Sequence, residues 1–127
     1  ECVAMCGFLA KQGATKEQIF RRAKEYYPEI GTFTCAKLSE TNVFDETCQG
    51  SVPQALTCFF EGKDFEDTIR NAISIGGDSD TIAAMAGGIA ELFFGMQEGH
   101  IDTIKLFLSR DLQRTVSAIE DKVYRKA

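Results

Sequence analysis

At 127 residues, 44% hydrophobic and 26% charged, the chain has the length and composition of one globular domain, and folding at this size buries roughly 65–70% of the unfolded chain's surface. A formal net charge of −5 argues against a nucleic-acid partner, because phosphate binding needs clustered Lys and Arg, and the basic group of Lys122, Arg125 and Lys126 is only a short solvated tail. No apolar run approaches the roughly 20 residues of a bilayer span, and no basic, apolar, small-residue signal opens the chain.

The dominant period is helical. An apolar pattern (Val3, Cys6, Leu9, Ala10) is already running at the first residues, which predicts a chain cut into rather than naturally started. That stripe ends at Gly13, a residue suited to a helix C-terminus because it tolerates positive φ. Thr15 to Gln18 reads as a capping box for a second helix with Ile19, Phe20, Ala23 and Tyr26 or Tyr27 inward, closed by Pro28. From 29 to 50 the period fades into an irregular connection, and a loop that long tends to be functional. Ser51 then caps a helix with Pro53 in its first turn, and Val52, Ala55, Leu56 and Phe59 inward, ending at Gly62. Asp64 caps the next, which carries Phe65, Ile69, Ala72 and Ile73.

After Gly76-Gly77, residues 81–95 are apolar nearly all round except for Glu91, the signature of a helix at the centre of a bundle. Two amphipathic patterns follow, Ile101, Ile104 and Leu108, then Leu112, Val116, Ile119 and Val123. No period-2 strand appears. The sequence predicts one all-α domain over 1–127, with five cysteines (Cys2, Cys6, Cys35, Cys48 and Cys58) as reduced thiols of a cytoplasmic protein.

One segment carries chemistry. Gly76-Gly77-Asp78-Ser79-Asp80-Thr81 joins two apolar helices, where uncompensated carboxylates would be costly. The two glycines allow a sharp turn, and residues two apart in an extended or turn conformation project to one side. Asp78 and Asp80 can therefore converge, with the Thr81 hydroxyl beside them. An all-oxygen donor set selects a hard cation, Mg²⁺ with Mn²⁺ as the alternative, over Zn²⁺. An EF-hand is excluded because Ala83 and Ile89 stand where its Gly and Glu belong, and a P-loop because no Gly-Lys-Ser/Thr follows. Asp or Ser at a helix start is also a common cap. The residues alone leave both readings open, and the spare carboxylate between two buried helices favours the metal. Elsewhere, His100 is the only histidine and has no triad pattern, and Cys2 with Cys6 lacks the second pair that zinc needs.

The stretch Asn71-Ala72-Ile73-Ser74-Ile75-Gly76-Gly77-Asp78-Ser79-Asp80-Thr81-Ile82-Ala83-Ala84-Met85-Ala86-Gly87-Gly88-Ile89-Ala90 closely resembles the late metal-binding motif of the ADP-ribosylglycohydrolase family, which includes the dinitrogenase-reductase-activating glycohydrolases. Cys48-Gln49-Gly50-Ser51-Val52-Pro53-Gln54-Ala55-Leu56 and Phe65-Glu66-Asp67-Thr68-Ile69-Arg70 are similar to bacterial members, and the likeness covers most of 1–110. The resemblance implies an orthogonal all-α bundle with a two-magnesium centre that removes ADP-ribose from modified residues or related conjugates. It implies Asp78, Asp80 and Thr81 as metal ligands and Gly76 and Gly77 beside the substrate. Gln49, Gly50 and Ser51 would lie near the substrate cleft, with helix capping by Ser51 an equal reading.

The family's other ligands belong to an earlier Thr/Ser-Asp-Asp motif that is not in this sequence, and Met96-Gln97-Glu98-Gly99 departs from the family's continuation. The resemblance therefore implies half of a metal site, no assigned catalytic residue, and a complementary N-terminal half as partner. A non-catalytic module that self-associates through uncovered apolar faces is the alternative, with a homo-oligomer as its expected state.

Overall fold

The computed structural model describes residues 1–123 and is all-α, with eight helices and no strand among the described residues. Arg125 and Lys126 of the basic tail lie outside them. The chain forms two units, the first Glu1–Gly95 and the second beginning at Met96.

In the first unit α6 (Ser79–Phe94) is the hub, with α1 (Cys2–Lys11), α4 (Cys48–Glu61) and α5 (Phe65–Ser74) packed on it. Small residues permit this: a Cβ at Gly87 would stand 2.8 Å from Ile69 Cδ1 of α5, and one at Gly7 3.1 Å from Leu92 Cδ1. Ile89 and Ala90 join Cys6, Ile19, Leu56 and Phe59 in one buried cluster, whereas Ile82 and Ala86 join Cys35, Ala55, Cys58, Ala72 and Ile75 in another. Each fully buried Leu, Ile or Phe contributes about 1.5–3 kcal/mol. α6 is not wrapped all round as its composition predicts, because Ala84, Gly88 and Leu92 are exposed.

The local signals explain the helix ends. Gly13 has φ +80°, and the bonds Gly13 N–H to Ala10 O (3.0 Å) and Ala14 N–H to Leu9 O (3.0 Å) form a Schellman motif that closes α1. Thr15 and Gln18 form the expected capping box of α2 (Lys16–Tyr26), with Ile19 and Ala23 buried. Lys16 in its first turn donates to the carbonyls of Phe60 (3.1 Å) and Gly62, and lies 4.9 Å from the Phe94 ring centroid. The cation thus meets the negative end of α4, and burial holds its pKa below the ordinary lysine value. Asp64 caps α5 through Asp67 N–H at 2.7 Å.

Three expectations are corrected. The stretch 29–50 contains a seven-residue helix, α3 (Cys35–Thr41), capped by Thr34 through Lys37 N–H. It is too short to show a period. α4 begins at Cys48 with Thr47 as its cap, so Ser51 is buried inside the helix, donating its hydroxyl to Thr47 O at 2.8 Å. Pro53 accordingly sits within the helix, not in its first turn, and having no N–H it leaves the Gln49 carbonyl without a ladder bond. Ile73 is exposed (62%), and Ile75 takes the inward place (2%).

The second unit holds α7 (Glu98–Phe107) and α8 (Arg110–Val123), neither with a buried residue. Gln113 Nε2 donates to the carbonyls of Lys105 (2.8 Å) and Leu108 (2.9 Å), and Lys105 pairs with Glu120 at 3.0 Å. No helix of the described residues is long and apolar enough to cross a membrane.

Candidate metal centre

α5 and α6 are joined by a turn in which Gly76 (φ +71°) and Gly77 (φ +70°) are both left-handed. Two consecutive residues in that region would be strained for any residue with a Cβ, so the glycine pair is required by backbone geometry. The turn delivers Asp78 to the N-cap of α6, which starts at Ser79, two residues earlier than the apolar stretch 81–95 implies.

Asp78 does not cap. Its side chain makes no bond to the helix amides, although its carbonyl starts the ladder by accepting from Ile82 N–H at 3.0 Å. The carboxyl instead meets Asp80 and Thr81. Asp78 titrates above its ordinary value, first because it is half-buried, next because the Asp80 carboxyl lies within hydrogen-bond reach; the Thr81 side chain pulls the other way, and the charges of Asp80 and Glu46 add to the rise. Asp80 titrates low, first through the Asp78 carboxyl, then through main-chain N–H groups of Thr81 and Asp80 itself. The two carboxyls are thus close enough for each to set the other's charge. Asp78, Asp80 and Thr81 are thus gathered, at the positive end of a helix where negative charge is favoured.

The donor set suits a hard cation in kind. It is short in number: among the described residues no group of three or more His, Cys, Asp or Glu side chains is placed to hold a metal. That includes Cys2 and Cys6, which touch each other within α1 without further ligands. Two carboxyls and a hydroxyl leave an octahedral Mg²⁺ about three ligands short.

Of the residues implied to lie by a substrate, Gly76 and Gly77 form the turn itself. Gln49 is exposed in the first turn of α4, and Gly50 is half-buried against the Asp45 carboxyl. Ser51 is 3% exposed with its hydroxyl spent on Thr47, so it faces its own helix.

The residues that sequence reasoning missed hold the turn from outside. Asn42, the C-cap of α3, donates from Nδ2 to Gln54 Oε1 (3.1 Å), Ile75 O (3.1 Å) and Gly76 O (3.4 Å), and Gln54 Nε2 donates back to Asn42 Oδ1 (2.9 Å). Glu46, whose charge reaches Asp78, comes from the loop between them. The only sequence signal was Gln54, a long amide within an apolar run of α4.

The chain matches the family model described as ADP-ribosylglycohydrolase over residues 1–120, which carries the likeness past residue 110. It is 41% identical over 59 residues to ADP-ribosylhydrolase ARH3 of Homo sapiens, a stretch covering 38% of this chain and 16% of that protein; the Mus musculus protein of the same name is 39% identical with the same coverage. An uncharacterized protein of Archaeoglobus fulgidus is 50% identical over 38 residues, 30% of this chain and 12% of its own. The matched segments therefore span less than a fifth of these relatives' length. No solved structure matches significantly. A family model running through 120 of the 127 residues, over a fold that is all-α, makes the chain a member of the ADP-ribosylglycohydrolase family.

Proposed function

We propose that the complete protein hydrolyses the N- or O-glycosidic bond between ADP-ribose and a modified residue or related conjugate, with Mg²⁺ as cofactor and Mn²⁺ as its substitute. The observation that carries this reading is the convergence of Asp78, Asp80 and Thr81 with Asp78 left uncapped. Family membership supplies the reaction class, and the relatives called ADP-ribosylhydrolase agree with it.

In this reading Asp78 and Asp80 hold the cation by carboxylate oxygen and Thr81 adds its hydroxyl, with the remaining positions filled by water, substrate and a complementary part of the protein beyond these residues. The bound cation would neutralise charge developing as the glycosidic bond breaks and lower the pKa of a bound water. The double-glycine turn keeps the main chain at the site free of side chains, so a ribose hydroxyl can approach it. Gln49, exposed on α4, is the side chain nearest in kind to a hydroxyl-binding group. A cytoplasmic setting agrees with five free cysteines.

The test is ADP-ribose release from an ADP-ribosylated protein by the complete protein, in Mg²⁺ and in EDTA, beside its Asp80→Asn variant. Release that needs Mg²⁺ and is lost in the variant supports the reading. Equal release in EDTA, or a variant as active as the parent, ends it.

A second reading has one observation in its favour. An apolar groove between α1 and α6, flanked by exposed Phe8 (62%) and Leu92 (43%), is a surface for self-association. Light scattering that finds a monomer at high concentration, unchanged in Phe8→Asp, removes this alternative.

A further inference from the structure

Glycine is the least restrained residue, so two of them in a row do not by themselves fix where the start of α6, which carries Asp78 and Asp80, sits against the other helices. Something outside the turn must. We infer that Asn42, paired with Gln54, is the positioning residue for the cation-binding turn, an inference that rests on the metal reading of Asp78, Asp80 and Thr81.

The geometry is specific. The carbonyls of Ile75 and Gly76 lie three and two residues before Asp78, and Asn42 Nδ2 reaches both, at 3.1 and 3.4 Å. Asn42 has a side-chain oxygen as easily turned toward those carbonyls as its nitrogen is, which would replace attraction by repulsion. The two carbonyls can only accept and so settle that choice, and Gln54 matches it: its Nε2 donates to Asn42 Oδ1 at 2.9 Å while its Oε1 accepts from Nδ2 at 3.1 Å. The pair therefore presents only a donor to the turn. Gly77 is fitted to it as well, since a Cβ there would stand 2.8 Å from Asn42 Nδ2. The second glycine thus has two reasons, its φ of +70° and clearance for the amide.

The three bonds tie together α3, α4 and the α5–α6 turn, so the carboxyls' position depends on elements distant in sequence. Asn42 touches neither carboxyl, so its removal should weaken cation binding without abolishing it. A lost amide–carbonyl bond changes an equilibrium by about two- to tenfold, and Asn42 gives the turn one N–H, shared between two carbonyls.

The experiment measures Mn²⁺ affinity of the complete protein for the parent, Asn42→Ala, Thr34→Ala and Asp80→Asn, with Mg²⁺-dependent ADP-ribose release as a second readout. Thr34→Ala is the structural control, because it removes the cap of the same helix, α3, without touching the turn. Asn42→Ala is expected to weaken Mn²⁺ binding about tenfold and to regain release at saturating Mg²⁺, with Thr34→Ala at the parent's affinity. Equal affinities in Asn42→Ala and the parent, or an equal loss in Thr34→Ala, overturn the positioning role while leaving the metal reading intact. A parent that binds no Mn²⁺, or an Asp80→Asn variant that binds as well, overturns the metal reading and this inference with it.

Discussion

Asp78 stands at the N-cap of α6 without capping it, and its carboxyl meets that of Asp80 instead. A cap would be worth about 1 kcal/mol to the helix. The residue forgoes that and accepts a like-charged neighbour. Such an arrangement is eased by a proton or a cation placed with the pair.

The pair should therefore trade stability against binding. Asp78→Asn removes one of the two like charges and is expected to leave the melting temperature in EDTA equal or higher, while its Mn²⁺ affinity falls by at least about tenfold, the scale of one charge-assisted contact. A lowered melting temperature together with unchanged Mn²⁺ binding would show the carboxyl to be structural.

The pH dependence has opposite signs at the two carboxyls. Asp78, raised above 3.8, keeps its proton longer folded than unfolded, so in the metal-free protein its contribution to stability falls as pH rises through the window above 3.8. Asp80, lowered, contributes stability above its ordinary value of 3.8 that is lost as pH falls below it. Protons compete with the cation at Asp78 first, so Mn²⁺ affinity is expected to begin falling above pH 3.8 on acidification. Carboxyl carbon NMR of the two residues, with and without Mg²⁺, measures both midpoints; an Asp78 midpoint at or below 3.8 would contradict the pairing.

Two glycines should respond in opposite directions to alanine. Gly77→Ala places a Cβ at φ +70° and 2.8 Å from Asn42 Nδ2, and is expected to lower stability by about 1–3 kcal/mol. Gly88→Ala lies in the interior of α6 with nothing within 4 Å of the new carbon, and should raise stability by about 0.5–1 kcal/mol. Urea unfolding of both variants decides it.

Thiol labelling should be selective. Cys48 is exposed, whereas Cys2, Cys6, Cys35 and Cys58 are buried. Burial, with Cys2 beside it, pushes Cys6 up to about 12. A maleimide at pH 7 is expected to modify Cys48 alone until the chain unfolds, and mass spectrometry of the digested protein locates the label. Because the Cys6 thiol is raised when folded, its contribution to stability is intact below pH 9 and is lost as pH rises from 9 toward 12.

What could be read from the sequence was what neighbours in the chain decide. The Thr15–Gln18 capping box, the Asp64 cap and the left-handed Gly13 each depend on residues three to five apart. The gathering of Asp78, Asp80 and Thr81 also follows from local spacing across a glycine turn. α3 escaped because seven residues hold too few turns for a period to emerge. Pro53 misplaced the start of α4, since proline favours a first turn; burial of Val52, Leu56 and Phe59 on the same helix outweighs the missing bond. Asn42 was beyond reach for a different reason: its partners on the turn lie 33 and 34 residues further on, and only the fold brings them together.

The interruption at Pro53 gives α4 a seam. Pro53 has no N–H to offer the Gln49 carbonyl, so the opening turn of α4 has one ladder bond fewer, and side chains add to it, with Asp45 Oδ1 accepting from Thr47 N–H at 2.9 Å and Ser51 donating to Thr47 O at 2.8 Å. Amide protons at 50–52 are therefore expected to exchange with solvent before those at 55–59, where the ladder is whole and Ala55, Leu56 and Phe59 are fully buried.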